Sequence, residues 1–161
     1  MPDRGTFWTA PVDTATAVIT GEGLHIAPVP ARPLVLASGD LAAFAEVAGD
    51  LSTAIPLARG RILWPAQLPE GLAWGWDTRG FALSDATALY QAVHVGGDQA
   101  RALIARGMDA DPDQTGGSAA FAFAGQKLVI RPEGDGYLLL VEAPLFQWLW
   151  SWLNAATAAM S

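Results

Sequence analysis

Cysteine is absent from all 161 residues, which excludes disulfides, thiol nucleophiles and cysteine-ligated zinc or iron–sulfur centres. Charge is scarce too. Asp, Glu, Lys and Arg make up 16% of the chain against 52% hydrophobic residues, too apolar for disorder and thin in charge for a free-standing monomer. Some apolar surface is therefore expected to be shared with a partner. Cations are the scarcer sign, 9 Lys and Arg against 16 Asp and Glu, and the formal charge of -7 is offset by no basic cluster. Phosphate backbones and anionic lipid surfaces are repelled by such a chain, so neither nucleic acid nor membrane is an expected partner. No stretch reaches the roughly 20 apolar residues that span a bilayer, and MPDRGTFWTAP lacks a signal-peptide core, so a cytoplasmic location is expected.

What is present reads as one domain of ordinary size. Residues 1–22, rich in Thr, Ala and Gly, have little periodicity and are expected to form an irregular arm in which Trp8 docks as an anchor. Residues 23–161 are expected to form a single domain of two lobes, about 23–91 and 92–157. LHIAPV and PLVLAS read as strands whose prolines suit edges or connections. In GDLAAFAEVAGD, Asp40 caps a helix, Leu41, Phe44 and Ala48 share a face, and Gly49 supplies the left-handed stop. ILW, LAWGW and GFALS follow as antiparallel strands, with Asp77–Gly80 as a turn.

The second half repeats this grammar: strand AVHV, a helix capped by Asp98 and closed by Gly107, strands AAFAFAG, KLVIR and GYLLLVE, then a helix from Pro144. Gly39-Asp40-x-Ala42 and Gly49 match Gly97-Asp98-x-Ala100 and Gly107 at one offset, and Gly80-Phe81-Ala82-Leu83 resembles Gly136-Tyr137-Leu138-Leu139. These matches favour an internal repeat of the form β-α-β-β-β-α. Chance recurrence of Asp caps and Gly stops is the competing explanation.

Catalytic constellations are missing. His25 and His94 have no ligand spacing between them, and alternation turns His94 away from Val93 and Val95 toward solvent or a polar seam. Ser38 and Ser84 lack a nucleophile elbow. Asp109, Asp111 and Asp113 do not place the glycine and glutamate of a calcium loop, and read as a solvated connection. Neither a Rossmann fingerprint nor a P-loop occurs. No catalytic residue, metal ligand or cofactor of this chain's own is expected.

The strongest local signal is APLFQWLWSWLNAATAAM. Leu145, Trp148, Leu149, Trp152, Leu153 and Ala156 form one helical stripe, whereas Phe146 and Trp150 lie on its flank. Left in water, those two rings would present roughly 300–500 Å² of aromatic surface, as much as the largest patch a monomer tolerates. Either the arm bearing Phe7 and Trp8 folds over them, or they form a subunit interface. Phe146, Trp150, Phe7 and Trp8 are thus the interface candidates.

The runs VGGDQARALIARGMDAD and AAFAFAGQKLVIRPEGDGYLLLVEAPLFQWLWSWL resemble the gamma, or small, subunit of heterotetrameric sarcosine oxidase over about Val93–Ala156. ARPLVLASGDLAAFAEVAG and RILWPAQLPEGLAWGWDTRGFAL are similar in order, although Gly80-Phe81-Ala82-Leu83 stands where the family commonly shows W-L-L. The resemblance implies an α+β fold of two ferredoxin-like halves with antiparallel sheets, related to the folate-binding domain of the glycine-cleavage T-protein, an aminomethyltransferase. It also implies a non-catalytic accessory subunit in one-carbon metabolism. The larger flavoprotein partners would carry FAD, FMN and NAD, oxidise sarcosine and pass the released carbon to tetrahydrofolate. Self-association of the isolated chain is the other partner class. A stand-alone folate or small-molecule binding domain is the alternative, with Trp74, Trp76 or Tyr90 stacking on a flat ring.

Overall fold

The computed structural model describes residues 13, 16–113 and 119–160. The chain order is β1 (Ile19–Gly21), β2 (Leu24–Val29), β3 (Val35–Gly39), α1 (Leu41–Ala48), β4 (Ile55–Ala58), β5 (Arg61–Trp64), β6 (Gly75–Trp76), β7 (Phe81–Asp85), β8 (Tyr90–Gly96), α2 (Ala100–Ala105), β9 (Ala120–Phe123), β10 (Gln126–Glu133), β11 (Gly136–Glu142) and α3 (Phe146–Ala158), with a 3-10 turn over Ala143–Leu145 before the last helix. Two antiparallel sheets result, one ordered β1-β2-β8-β11-β10-β9 and the other β4-β5-β3-β7-β6. The fold is α+β, with two ferredoxin-like halves.

Alternation along the strands builds three apolar layers. Ile26, Val93, Val95, Ile130, Leu139 and their neighbours on the six-stranded sheet pack under α2 and α3. Val129, Leu138 and Leu140 on its reverse face meet Leu34, Ile55, Leu57, Leu63 and Ala86, so the two sheets lie face to face. Val35, Ala37, Ile62, Phe81 and Leu83 on the far side of the five-stranded sheet pack against Phe44 of α1. The two sheets form the centre, with helices outside.

The repeat exists, but its pairing differs from the expected one. Gly39 ends the central strand β3 and Gly97 directly follows the central strand β8, with φ of +107° and +102°. A Cβ on Gly39 would stand 2.4 Å from the Gly80 carbonyl oxygen, and one on Gly97 would stand 2.3 Å from that of Gly23. Gly80 therefore corresponds to Gly23, not to Gly136, and the hairpin β6-β7 corresponds to β1-β2. The five-stranded order β4-β5-β3-β7-β6 then maps onto β10-β11-β8-β2-β1, with β9 added outside. The N-terminal hairpin completes the C-terminal sheet. A division into lobes near residue 91 consequently does not separate the sheets, since β2 pairs with β8. The expected irregular arm ends earlier than residue 22, because Ile19–Gly21 form a strand beside β2.

Helix ends show where local signals hold and where they do not. Asp40 caps α1 by accepting from Ala42 and Ala43 N–H at 3.0 Å each, and Gly49 ends it with its N–H bonded to the Ala45 carbonyl. Asp98 caps nothing. The link from Gly97 into α2 is one residue longer than that from Gly39 into α1, so Gln99 N–H, not Asp98 N–H, reaches the Gly23 carbonyl, where Asp40 N–H meets Gly80. Gln99 takes the cap position without a side-chain bond. Gly107 is not a left-handed stop either. Its absent side chain makes room for the Phe123 ring, which a Cβ would approach to 2.4 Å.

Pro28 sits opposite Val93 in β2. It is tolerated inside the sheet because β1 covers only Leu24–Ile26, so among the described residues no strand pairs with the outer edge at Pro28 and no ladder donor is required there.

Candidate functional site

The closing helix does not present the expected face. Its buried residues are Phe146, Leu149, Leu153 and Thr157, while Leu145, Trp148, Trp152 and Ala156 are only partly buried. The core stripe is rotated toward Phe146 because both ends of the helix are pinned there. Phe146 follows the 3-10 turn that closes β11, and Thr157 Cγ2 lies so close to Gly21 of β1 that a Cβ there would stand at 2.7 Å. Phe146 is 5% exposed and belongs to the core layer under the helices, where the sequence placed it on the flank of the apolar stripe. Trp150 remains partly buried, stacked on Phe146 with centroids 6.0 Å apart and an interplanar angle of 19°. Trp152 meets Phe123 edge-on at 4.6 Å. Phe7 and Trp8 lie outside the described residues.

The three ring candidates for ligand stacking are not brought together. Trp74 precedes the two-residue edge strand β6 and Trp76 belongs to it, and they are 49% and 73% exposed. Tyr90 begins β8 and packs against the layer between the sheets. Burial raises its phenol above the usual tyrosine range, with the Glu142 charge adding to the rise and Arg61 opposing it. Tyr90 lines a cavity of about 200 Å³ that also takes in Pro28, Leu140 and Phe146 but neither tryptophan. That volume is below the roughly 300 Å³ at which drug-sized pockets begin, too small for a whole folate.

His94 turns, as alternation requires, into a polar seam: its Nε2 lies 3.1 Å from the Glu133 carbonyl oxygen and 3.8 Å from Asp135. The acidic run after α2 is more than a solvated connection. Arg101 bridges Asp111 and Asp113 at 2.9 Å each, and the Tyr137 hydroxyl donates to Asp113 at 2.7 Å. Sequence reasoning missed this network because Tyr137 is 24 residues from its acceptor along the chain. Among the described residues no group of three or more His, Asp or Glu could hold a metal ion. No helix there is long and apolar enough to cross a membrane.

Burial, then the bond to Asp113 and its charge, pushes the Tyr137 phenol up to about 12. An unfolded tyrosine ionises near pH 10, so between about pH 10 and 12 the unfolded chain loses this proton first. The stabilisation is complete below pH 10 and is lost as pH rises toward 12. Tyr137→Phe is expected to cost about 0.5–1.5 kcal/mol at neutral pH and to flatten that alkaline decline in urea titrations. An unchanged alkaline slope would remove Tyr137 as its source.

The arrangement offers a partly buried aromatic helix surface and an exposed tryptophan edge on two antiparallel sheets. No family model and no curated protein sequence matches the chain. Among solved structures it is similar to a chain of the heterotetrameric sarcosine oxidase from Corynebacterium sp. U-96, with a TM-score of 0.69, 14% identity, and coverage of 91% of this chain and 89% of that one. The likeness is one of fold, along nearly the whole of both chains.

Proposed function

We propose that this chain is a non-catalytic accessory subunit of a sarcosine-oxidase-like flavoenzyme complex. The observation that carries the reading is the match of fold over nine-tenths of both chains with a chain of a heterotetrameric enzyme. The chain's low charge and its partly covered aromatic helix support a subunit whose apolar surface is completed by others. In this reading the flavins, nicotinamide and folate chemistry belong to the larger partners, oxidation of sarcosine is an activity of the assembly, and the complex works in the cytoplasm. Trp150 is the member of the helix best placed to meet a partner, because it is partly exposed and its neighbour Phe146 holds it rigid.

Tagged chain, expressed in its native host and captured by affinity, is expected to retain flavin-bearing chains through size-exclusion chromatography. Trp150→Ala should reduce that retention at least about tenfold, as loss of an aromatic anchor does, while the far-UV spectrum of the variant stays that of the parent. Elution of the chain alone, with the flavin in other fractions, would refute the subunit reading.

A further inference from the structure

The apolar arc of α3 is wider than the core beneath it. Phe146, Leu149, Leu153 and Thr157 face inward, which leaves a flank on either side. Trp150 stands on one flank, stacked on Phe146. On the other, Trp148, Trp152, Ala155 and Ala159 recur at spacings of 4, 3 and 4, which at about 3.6 residues per turn lines them up as one stripe. Trp148 and Trp152 are partly buried, Trp152 held edge-on by Phe123 at 4.6 Å, and Ala155 and Ala159 are exposed.

Two properties of this stripe point to what covers it. The first is charge. No charged side chain occurs from Ala143 to Ser161, so the formal charge of -7 lies wholly in the residues before them. Two copies of so acidic a chain repel each other over most of their surface, and this helix is where they can meet without bringing carboxylates together. The second is a gradient of size, with large rings in the first half of the stripe and alanines in the second. Turned antiparallel against its own copy, the stripe sets Trp148 beside the partner's Ala159 and Trp152 beside the partner's Ala155, so that bulk meets hollow in each layer. A parallel pair would set ring against ring and leave a gap between alanines. Ser151, next to the stripe, donates its hydroxyl to the Gln147 carbonyl of its own helix at 2.9 Å, so contact with a second helix leaves it satisfied.

We propose that this stripe of α3 is a self-docking surface on which two copies of the chain pair antiparallel, about a two-fold axis that passes between Trp152 and Ala155. A helix of 13 residues is about 20 Å long and about 10 Å across, so the contact buries a few hundred Å² per copy, below the roughly 800 Å² per partner of a standard interface. The dimer is therefore a reversible one, with a dissociation constant on the order of tens to hundreds of micromolar. It uses the flank opposite Trp150, so it neither needs nor blocks the contact with a flavoprotein partner.

Sedimentation equilibrium of the isolated full-length chain, from a few micromolar to about 500 μM, is expected to show the average mass rising from one chain toward two. Ala155→Glu, at an exposed helical position that accepts glutamate readily, should keep the far-UV spectrum of the parent and weaken pairing at least about tenfold by setting two carboxylates near each other across the contact. Trp150→Ala should pair as the parent does. Orientation can be read separately, because the chain has no cysteine of its own and Ala155→Cys and Ala159→Cys each carry a single thiol. A short bismaleimide should join copies of the first variant, whose thiols lie close to the axis, and not copies of the second, whose thiols an antiparallel pair holds about 16 Å apart along the helix. A parent chain that stays single at the highest concentration would overturn the proposal, as would a folded Ala155→Glu that pairs like the parent, or equal cross-linking of the two thiol variants. A single chain that still retains flavin-bearing chains would remove the dimer and leave the subunit reading standing.

Discussion

Gly97→Ala is expected to destabilise the protein by about 3–5 kcal/mol, enough to leave much of the chain unfolded. Backbone at φ +102° is costly for any residue with a Cβ, about 1–3 kcal/mol, and the new methyl group would overlap the Gly23 carbonyl at 2.3 Å for a similar further cost. That carbonyl cannot withdraw freely. It accepts Gln99 N–H at 3.0 Å and so sets the start of α2. Gly39→Ala should behave as its twin, since the Gly80 carbonyl would lie 2.4 Å away and accepts Asp40 N–H at 3.0 Å. Gly49 supplies the control. Its φ is +82° with ψ −128°, but a Cβ there would meet nothing within 4 Å, so alanine should cost only the backbone part, about 1–3 kcal/mol. Urea midpoints of the three variants decide the matter. If Gly97→Ala unfolds no more readily than Gly49→Ala, the close approach of the two hairpins is not what holds the repeat together.

Phe44→Ala is expected to cost about 3–5 kcal/mol as well, by a different route. Phe44 is fully buried and meets Trp64 and Phe81 edge-on at 5.7 and 5.4 Å. It is the only fully buried side chain that α1 contributes, so removing it uncouples the helix from the five-stranded sheet. The six-stranded sheet keeps its own cover from α2 and α3. Hydrogen exchange should therefore accelerate first in residues 35–85, with strands β8, β10 and β11 following only at global unfolding. Uniform acceleration would mean that the layer between the sheets couples them into one cooperative unit.

Much of this fold is legible in local signals. The Asp40 cap, the Gly49 stop, the spacing of Phe44 and the alternation of Val93, His94 and Val95 each depend on neighbours within a few residues, and each is found as expected. Gly39 and Gly97 pair correctly in the sequence because each stands where a central strand gives way to a helix. Asp98 misleads because an identical dipeptide carries no record of the extra residue in its turn. The partner of Gly97 cannot be read at all. It is Gly23, 74 positions earlier, in a hairpin that the sequence presents as the edge of an irregular arm.

The candidate sites divide in the same way. The apolar arc of the last helix is a property of 13 consecutive residues and is plain in the sequence. Which part of that arc faces inward depends on Gly21 and on the end of β11, neither of which belongs to the helix. The cavity is invisible for a stronger reason. Pro28, Tyr90, Arg131 and Phe146 come from four separate elements, and only the face-to-face packing of the sheets puts them around one space.

By itself, then, the sequence determined what could not occur here, cysteine chemistry foremost, together with the class of fold and the helix whose aromatic residues exceed what one face can bury. Those follow from composition and periodicity, which act residue by residue. The tertiary structure alone decided which hairpin completes which sheet, which rings are covered, and which residues surround the cavity between the sheets. Each of those depends on contacts between residues far apart in the chain, and no local pattern encodes them.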